Sequence, residues 1–207
     1  MSEPAWLPLL RGIAAQAENG LFFAKDPFDL ERYAEIAKLA RAAIADRTGS
    51  APETIATLLE DEKGYITPKL DVRGGVFQGD RILLVREAAD GLWALPGGYA
   101  EINLSPAEAI EAEIEQESGF IAKATRLVAL LDRRRHHPVH PTLHHCFKLY
   151  FLCDIVGGSA RGSVETLDVD FFAEDALPPL SPGRTNAPAI RRLFKHWRQP
   201  ELAPEFD

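Results

Sequence analysis

"LPGGYAEINLSPAEAIEAEIEQESGF", residues Leu95 to Phe120, decides how the rest of this chain is read. It opens on the pair Gly97-Gly98, passes Ser105-Pro106, and enters a glutamate-rich stretch that stops at Gly119. Ser105 suits a helix N-cap, Pro106 the first helical position, and Glu108 the third position of a capping box. The spacing therefore predicts a helix over Ser105–Ser118. Glu113, Gln116 and Glu117 stand three and four residues apart, so they share one helix face and their oxygens can converge. Glu108, Glu111 and Glu115 point elsewhere and read as solvated charge. The two glycines permit a tight bend that turns a main-chain carbonyl toward the same point.

Clustered oxygen ligands suit a hard cation such as Mg²⁺, with Mn²⁺ as a substitute, which binds through few carboxylates plus substrate phosphates. Such an ion neutralises a diphosphate and acidifies a water. A surface helix merely rich in glutamate is common, however, and the helix alone does not separate the two readings.

The flanking chain does. KLDVRGGVF and RILLVRE are short β-rich runs separated by Gln78, Gly79 and Asp80, which predicts a hairpin. ATRLVALLD, CFKLYFLCDIV and VDFF are further strand candidates, and a second helix is expected over roughly 187–197. Strands interleaved with two helices give an α/β sandwich around a mixed sheet. Residues 1–66 read differently, as a small all-helical block. In DPFDLERYAEIAKLARAAIADRTG the apolar residues Leu30, Tyr33, Ile36, Ala37, Ala40, Ala43 and Ile44 form a helical stripe, with Asp29 as N-cap and an end near Gly49. Pro52 begins a shorter helix, PETIATLLED. Nothing in this block clusters into a reactive set, and it reads as a packing or dimerisation appendage to residues 67–207.

In family terms, Leu95–Phe120 resembles the Nudix box, G-x5-E-x7-R-E-U-x-E-E-x-G-U with U apolar. Counted from Gly98, the matches are Glu113, Ile114, Glu117, Gly119 and Phe120; the departures are Leu104, Ala112 and Gln116. DVRGGVF, ILLVRE and DGLWALPGG run into the box in family order. LLDRRRHHP, HHCFKLYFLCDIVGG and SVETLDVDFFAEDALPPLS look like the branch with an N-terminal helical domain, which includes CDP-choline pyrophosphatases. The resemblance implies the Nudix α/β/α sandwich, a homodimer, and hydrolysis of a nucleoside diphosphate linked to a second moiety, CDP-choline first and ADP-ribose second. It implies metal ligands at Gly97, Glu113, Gln116 and Glu117, and a catalytic set of Glu113, Glu117 and Glu165. Arg73, Arg86, Arg133 and Lys148 are the expected contacts to phosphates or base. Gln116 keeps an oxygen but loses a charge, so a slowed enzyme is expected; the alternative is a weakened module that binds a nucleotide as a sensor.

The whole chain limits the remaining choices. Its 207 residues are 46% hydrophobic and 26% charged, with a net charge of −8. That balance opposes loose nucleic-acid binding, although Arg133–Arg135 are locally basic. No apolar run approaches the roughly 20 residues of a membrane span, and the opening residues lack a secretory signal, so a cytoplasmic protein is expected. Cys146 and Cys153 are too few for a disulfide framework. His136, His137, His140, His144 and His145 fit no standard zinc spacing, and a polar substrate-side loop is the simpler reading.

Overall fold

The computed structural model describes residues 4–58, 64–136 and 144–207. Two compact units divide them: residues 4–68 with 144–145, and residues 69–136 with 146–207.

The first unit is helical: α1 (Trp6–Phe23), α2 (Pro27–Thr48) and α3 (Pro52–Leu58). The N-cap of α2 is Asp26, not Asp29. Its carboxylate accepts from Phe28 N at 3.0 Å and Asp29 N at 3.2 Å, with Pro27 at the first helical position. Asp29 instead lies inside the first turn, where its charge complements the helix dipole. Gly49 closes α2 in the left-handed conformation. Small residues, Ala14, Ala17, Ala37 and Ala40, are buried in α1 and α2. Gly20 completes the close fit, because a Cβ there would meet the Tyr33 ring at 2.5 Å. Leu9, Phe22, Phe23, Phe28 and Leu39 remain exposed, so this unit keeps a broad apolar surface.

The second unit is built on β1 (Lys69–Gln78). It pairs antiparallel with β2 (Arg81–Glu87) through the predicted hairpin and parallel with β5 (Cys146–Gly158). Beyond β2 lie β3 (Trp93–Ala94) and β6 (Thr166–Ala173); beyond β5 lies β4 (Phe120–Asp132), flanked by β7 (Glu205–Phe206). The sheet is mixed, as expected. Helix α4 (Pro106–Ser118) covers one face, where Ile110 and Ile114 pack with Val72, Val76, Leu83 and Leu149. The short α5 (Arg133–His136) follows β4. Helix α6 (Ala187–Arg198) covers the opposite face, where Ile190, Leu193 and Phe194 pack with Ile82, Leu84, Tyr150 and Leu152. Each fully buried large aliphatic or aromatic side chain is worth about 1.5–3 kcal/mol, so the two layers are the main stabilising term.

Two adjacent glycines let both helices approach β1. A Cβ on Gly74 would lie 2.9 Å from Ile114 Cδ1 of α4, and one on Gly75 would lie 2.8 Å from Leu193 Cδ2 of α6. Successive strand residues face opposite sides, so each glycine serves one helix. Cys146 and Cys153 are free thiols in the interior, and burial pushes them up to about 11 and about 12. Among the described residues, no helix is long and apolar enough to cross a membrane.

Candidate active site

The bend ahead of α4 is stitched to β1. Gly98 O accepts from Val72 N at 2.8 Å, Pro96 O from Gly74 N at 2.9 Å, and Leu70 O from Ala100 N at 2.9 Å. Between them Gly97 adopts φ 137°, and a Cβ there would sit 1.9 Å from Val72 O, so only glycine fits. The Gly97 carbonyl takes no part in these bonds. Its amide turns the other way and donates to Glu117 Oε2 at 2.7 Å.

Helix α4 is fixed at both ends. The capping box forms, with Ser105 N donating to Glu108 Oε2 at 2.9 Å and Glu108 N to Ser105 Oγ at 3.3 Å. Gly119 ends the helix in the left-handed conformation. Glu113 stands over the bend: its Oε1 is 2.7 Å from where a Gly98 Cβ would be. Glu117, 5% exposed, lies deeper, and the Thr166 hydroxyl donates to its backbone carbonyl at 2.6 Å. Burial pushes the Glu117 carboxyl up to about 8, against the opposing charge of Arg73 and the Gly97 amide. The Glu113 carboxyl is also raised, by burial first and by the negative charge of Glu165 among its neighbours. Two carboxyls held above their ordinary range, with a carbonyl at the same bend, form a donor set short of positive charge. That suits a hard cation.

Of the three carboxylates expected to be solvated on this helix, Glu115 is exposed, whereas Glu108 and Glu111 are committed to structure. Glu108 completes the cap, and Glu111 binds Lys123 and the Ala124 amide. Tyr99, Glu101, Leu104, Ala109, Ala112, Glu113 and Gln116 line the cleft beside the bend. All three departures from the box therefore fall on its wall, and Gln116 is exposed there. Among the described residues no three His, Cys, Asp or Glu side chains converge on one point, in keeping with only two carboxylates, Glu113 and Glu117, on this helix face.

The four expected substrate cations separate into two pairs. Arg73 and Lys148 are interior residues, 4% and 1% exposed. Arg73 holds Asp71 through Nε at 2.7 Å and Nη2 at 3.0 Å, while its Nη1 donates to Leu95 O at 3.1 Å. Lys148 Nζ reaches Asp71 Oδ1 at 3.0 Å and Arg184 O at 3.1 Å. Burial alone would raise the Asp71 carboxyl, but the two cations bring it down to about 2. Lys148 itself is lowered to about 8 by burial and by Arg73, because one carboxylate serves two cations and leaves positive charge in excess. The excess acts on Glu113 and Glu117, whose ionised forms Arg73 favours. Arg73 thus supplies from β1 a cation that Ala112 cannot supply from α4.

Arg86 is half-buried on β2, and its Nε makes no hydrogen bond among the described residues. Arg133 donates to Gly183 O at 3.3 Å, and its charge is felt at Tyr99 in the cleft. Glu165 is exposed, in a turn where its amide donates to Ser163 Oγ at 3.1 Å; its charge reaches Glu113 and Glu87. Sequence reading passed over Asp71, Tyr99, Glu87 and Arg184. Asp71 was detectable, since it shares a strand face with Arg73. Glu87 was not: it is a buried carboxylate raised by burial, and its partner Arg184, at 3.1 Å, is remote in sequence. His136 binds Asp207, whereas His137 and His140 lie outside the described residues.

A mixed sheet between two helices carries a glycine bend tied to a carboxylate helix, the layout that the sequence associated with hydrolysis of phosphoanhydride bonds. The chain belongs to the Nudix family: residues 68–194 match the NUDIX domain, and residues 4–59 match the UDP-X-like, N-terminal oligomerisation domain. It is 45% identical over 203 residues, 98% of this chain and 97% of the relative, to YjhB of Bacillus subtilis (strain 168), whose name provisionally assigns it as an ADP-ribose pyrophosphatase. Among solved structures, a UDP-X diphosphatase is 34% identical with full coverage of both chains and a TM-score of 0.63. An ADP-ribose pyrophosphatase from Streptococcus suis 89-1591 is 37% identical over 68% of this chain and all of its own, also with a TM-score of 0.63. The protein is a Nudix hydrolase of the pyrophosphatase type.

Proposed function

We propose that this hydrolase cleaves the diphosphate of a nucleoside diphosphate linked to a second moiety, with Mg²⁺ or Mn²⁺ at Glu113, Glu117, the Gly97 carbonyl and Gln116. The observation that carries the reading is the Gly97–Glu117 hydrogen bond, which brings the bend and the carboxylate helix together. A bound ion supplies charge neutralisation and an acidified water. The protein's residues do the rest. Gly97 fixes Glu117, Gly98 leaves room for Glu113, and Arg73 favours both as carboxylates. Glu165 accepts a proton from the attacking water. A water oxygen then bonds to one phosphorus as the bridging P–O bond breaks, giving a nucleoside monophosphate and a phosphorylated partner. Arg86 and Arg133 contact the substrate, while Arg73 and Lys148 act from beneath through Asp71.

The relatives' names add UDP-linked compounds to ADP-ribose and CDP-choline as substrates. A panel of ADP-ribose, a UDP-sugar, CDP-choline and capped RNA, with Mg²⁺ and then Mn²⁺, tests the reading by phosphatase-coupled phosphate release. Turnover of at least one of the three small molecules is expected. Binding without turnover of any of them favours the sensor reading, which the exposed, uncharged Gln116 supports. The exposed apolar residues of α1 and α2, with the family of residues 4–59, support a homodimer. Light scattering at micromolar concentration tests it, and a monomer would exclude it.

A further inference from the structure

The last residues of the chain are fastened to the segment that carries Arg133. Strand β7 lies parallel to the end of β4, with Glu205 opposite Ala129 and Phe206 opposite Leu130. Three side chains of α6 hold Glu205: Arg192 Nε at 2.7 Å, Lys195 Nζ at 3.1 Å and His196 Nε2 at 3.3 Å. Asp207 comes next and holds the residue before α5 and the last residue of α5. One carboxylate oxygen accepts from the Asp132 amide, and the other pairs with His136 Nε2 at 2.7 Å. Asn186 Nδ2 adds a bond to His136 O at 2.8 Å. Within this frame Arg134 turns back to Asp132, through its amide at 2.9 Å and Nε at 3.1 Å. Arg133 instead donates to Gly183 O at 3.3 Å, and its charge acts on Tyr99 of the cleft.

We infer that Asp207 is a positioning residue: through Asp132 and His136 it sets the place of Arg133 in the substrate cleft. The inference rests on the proposed reading that Arg133 contacts the nucleoside diphosphate. A four-residue turn cannot hold its own geometry, since helix nucleation fixes several dihedrals for one bond. The grip from β7 replaces the stability that length would give. Loss of the grip should weaken ground-state binding and leave the bond-breaking machinery intact.

The test uses the full chain with Asp207→Ala, Arg133→Ala, the double variant, and His136→Gln as a milder lesion. KM and kcat are measured on the best panel substrate, and Kd for α,β-methylene-ADP by calorimetry. Asp207→Ala should raise KM and Kd roughly 5- to 20-fold with kcat within about twofold. The double variant should match Arg133→Ala, because a residue acting through another adds nothing once that other is gone. A merely structural contribution would add instead, and additive effects overturn the inference. Weakening by Arg133→Ala with none from Asp207→Ala or His136→Gln overturns this inference alone. No weakening from Arg133→Ala removes the substrate contact itself, and the inference with it. Melting temperatures identify any variant that fails to fold, and His136→Gln then carries the comparison.

Discussion

Gly97 and Glu117, twenty residues apart, are joined by a 2.7 Å hydrogen bond from a backbone amide to a buried carboxylate. The bond exists because φ 137° at Gly97 aims the amide away from β1, and any side chain there would strike Val72 O. Gly97→Ala should therefore open the bend, with turnover falling at least about 100-fold, the scale of a misplaced catalytic group. Steady-state kinetics with excess Mg²⁺ checks this, and near-native turnover would show that the bend is not needed.

Charge and geometry can be separated at the other end of that bond. Glu117→Gln keeps an oxygen for the Gly97 amide but removes the negative charge. Divalent-ion binding should disappear while the fold persists. Calorimetry with Mn²⁺ reads the first and circular dichroism the second; unchanged Mn²⁺ affinity would remove Glu117 from the ligand set.

Gln116→Glu makes the reverse change, adding charge at the exposed position on the cleft wall. Turnover at low Mg²⁺ should rise by about 10-fold or more, and the gain should shrink as Mg²⁺ increases. Equal rates at every Mg²⁺ concentration would show that this position does not limit the chemistry.

Asp71 is the one carboxylate that both Arg73 and Lys148 hold in the interior. Asp71→Asn leaves Arg73 and Lys148 buried without a counter-charge, and should cost about 3–5 kcal/mol at neutral pH. Urea unfolding measures it, and a loss under about 1 kcal/mol would mean that water or another group takes over the role.

The same carboxylate shapes the acid limb of stability. Asp71 and Glu205 are each held down at about 2: Arg73 and Lys148 outweigh the burial of Asp71, and Arg192, Lys195 and His196 that of Glu205. Below their ordinary values the unfolded chain takes up protons first. Their contribution is complete above about pH 4.5 and is lost as pH falls toward 2. Lys148, lowered to about 8, works at the alkaline end: it adds stability as pH rises from 8 toward its ordinary 10.5. Chemical denaturation from pH 2 to 6 should show a steep limb that is shallower in Asp71→Asn. Parallel limbs would assign the acid loss to other groups.

Much of this was legible in the chain because the signals were local. The capping box, the glycine bend, the hairpin at Gln78–Asp80 and the face shared by Glu113 and Glu117 all depend on spacings of a few residues. Asp29 misled because two acidic residues bracket Pro27-Phe28, and only the backbone shows which of them meets the free amides. Arg73 and Lys148 were read as substrate contacts; the ion pair that holds Lys148 is hidden in the sequence because Asp71 faces it from the neighbouring strand, 77 residues away. Strand β7 and the turn at Arg133–His136 gave no periodic signal, being too short to show one.

The glycine at position 74 has a wider consequence. With hydrogen in place of a methyl, it lets Ile114 and Ile110 of α4 sit close on β1, and Ile114 lies between Glu113 and Glu117 along that helix. One added carbon would press on Ile114 and Ile110, the residues that seat α4 on the sheet, without altering a single ligand. Position 74 thus lies outside the site yet beneath the helix that carries both carboxylates.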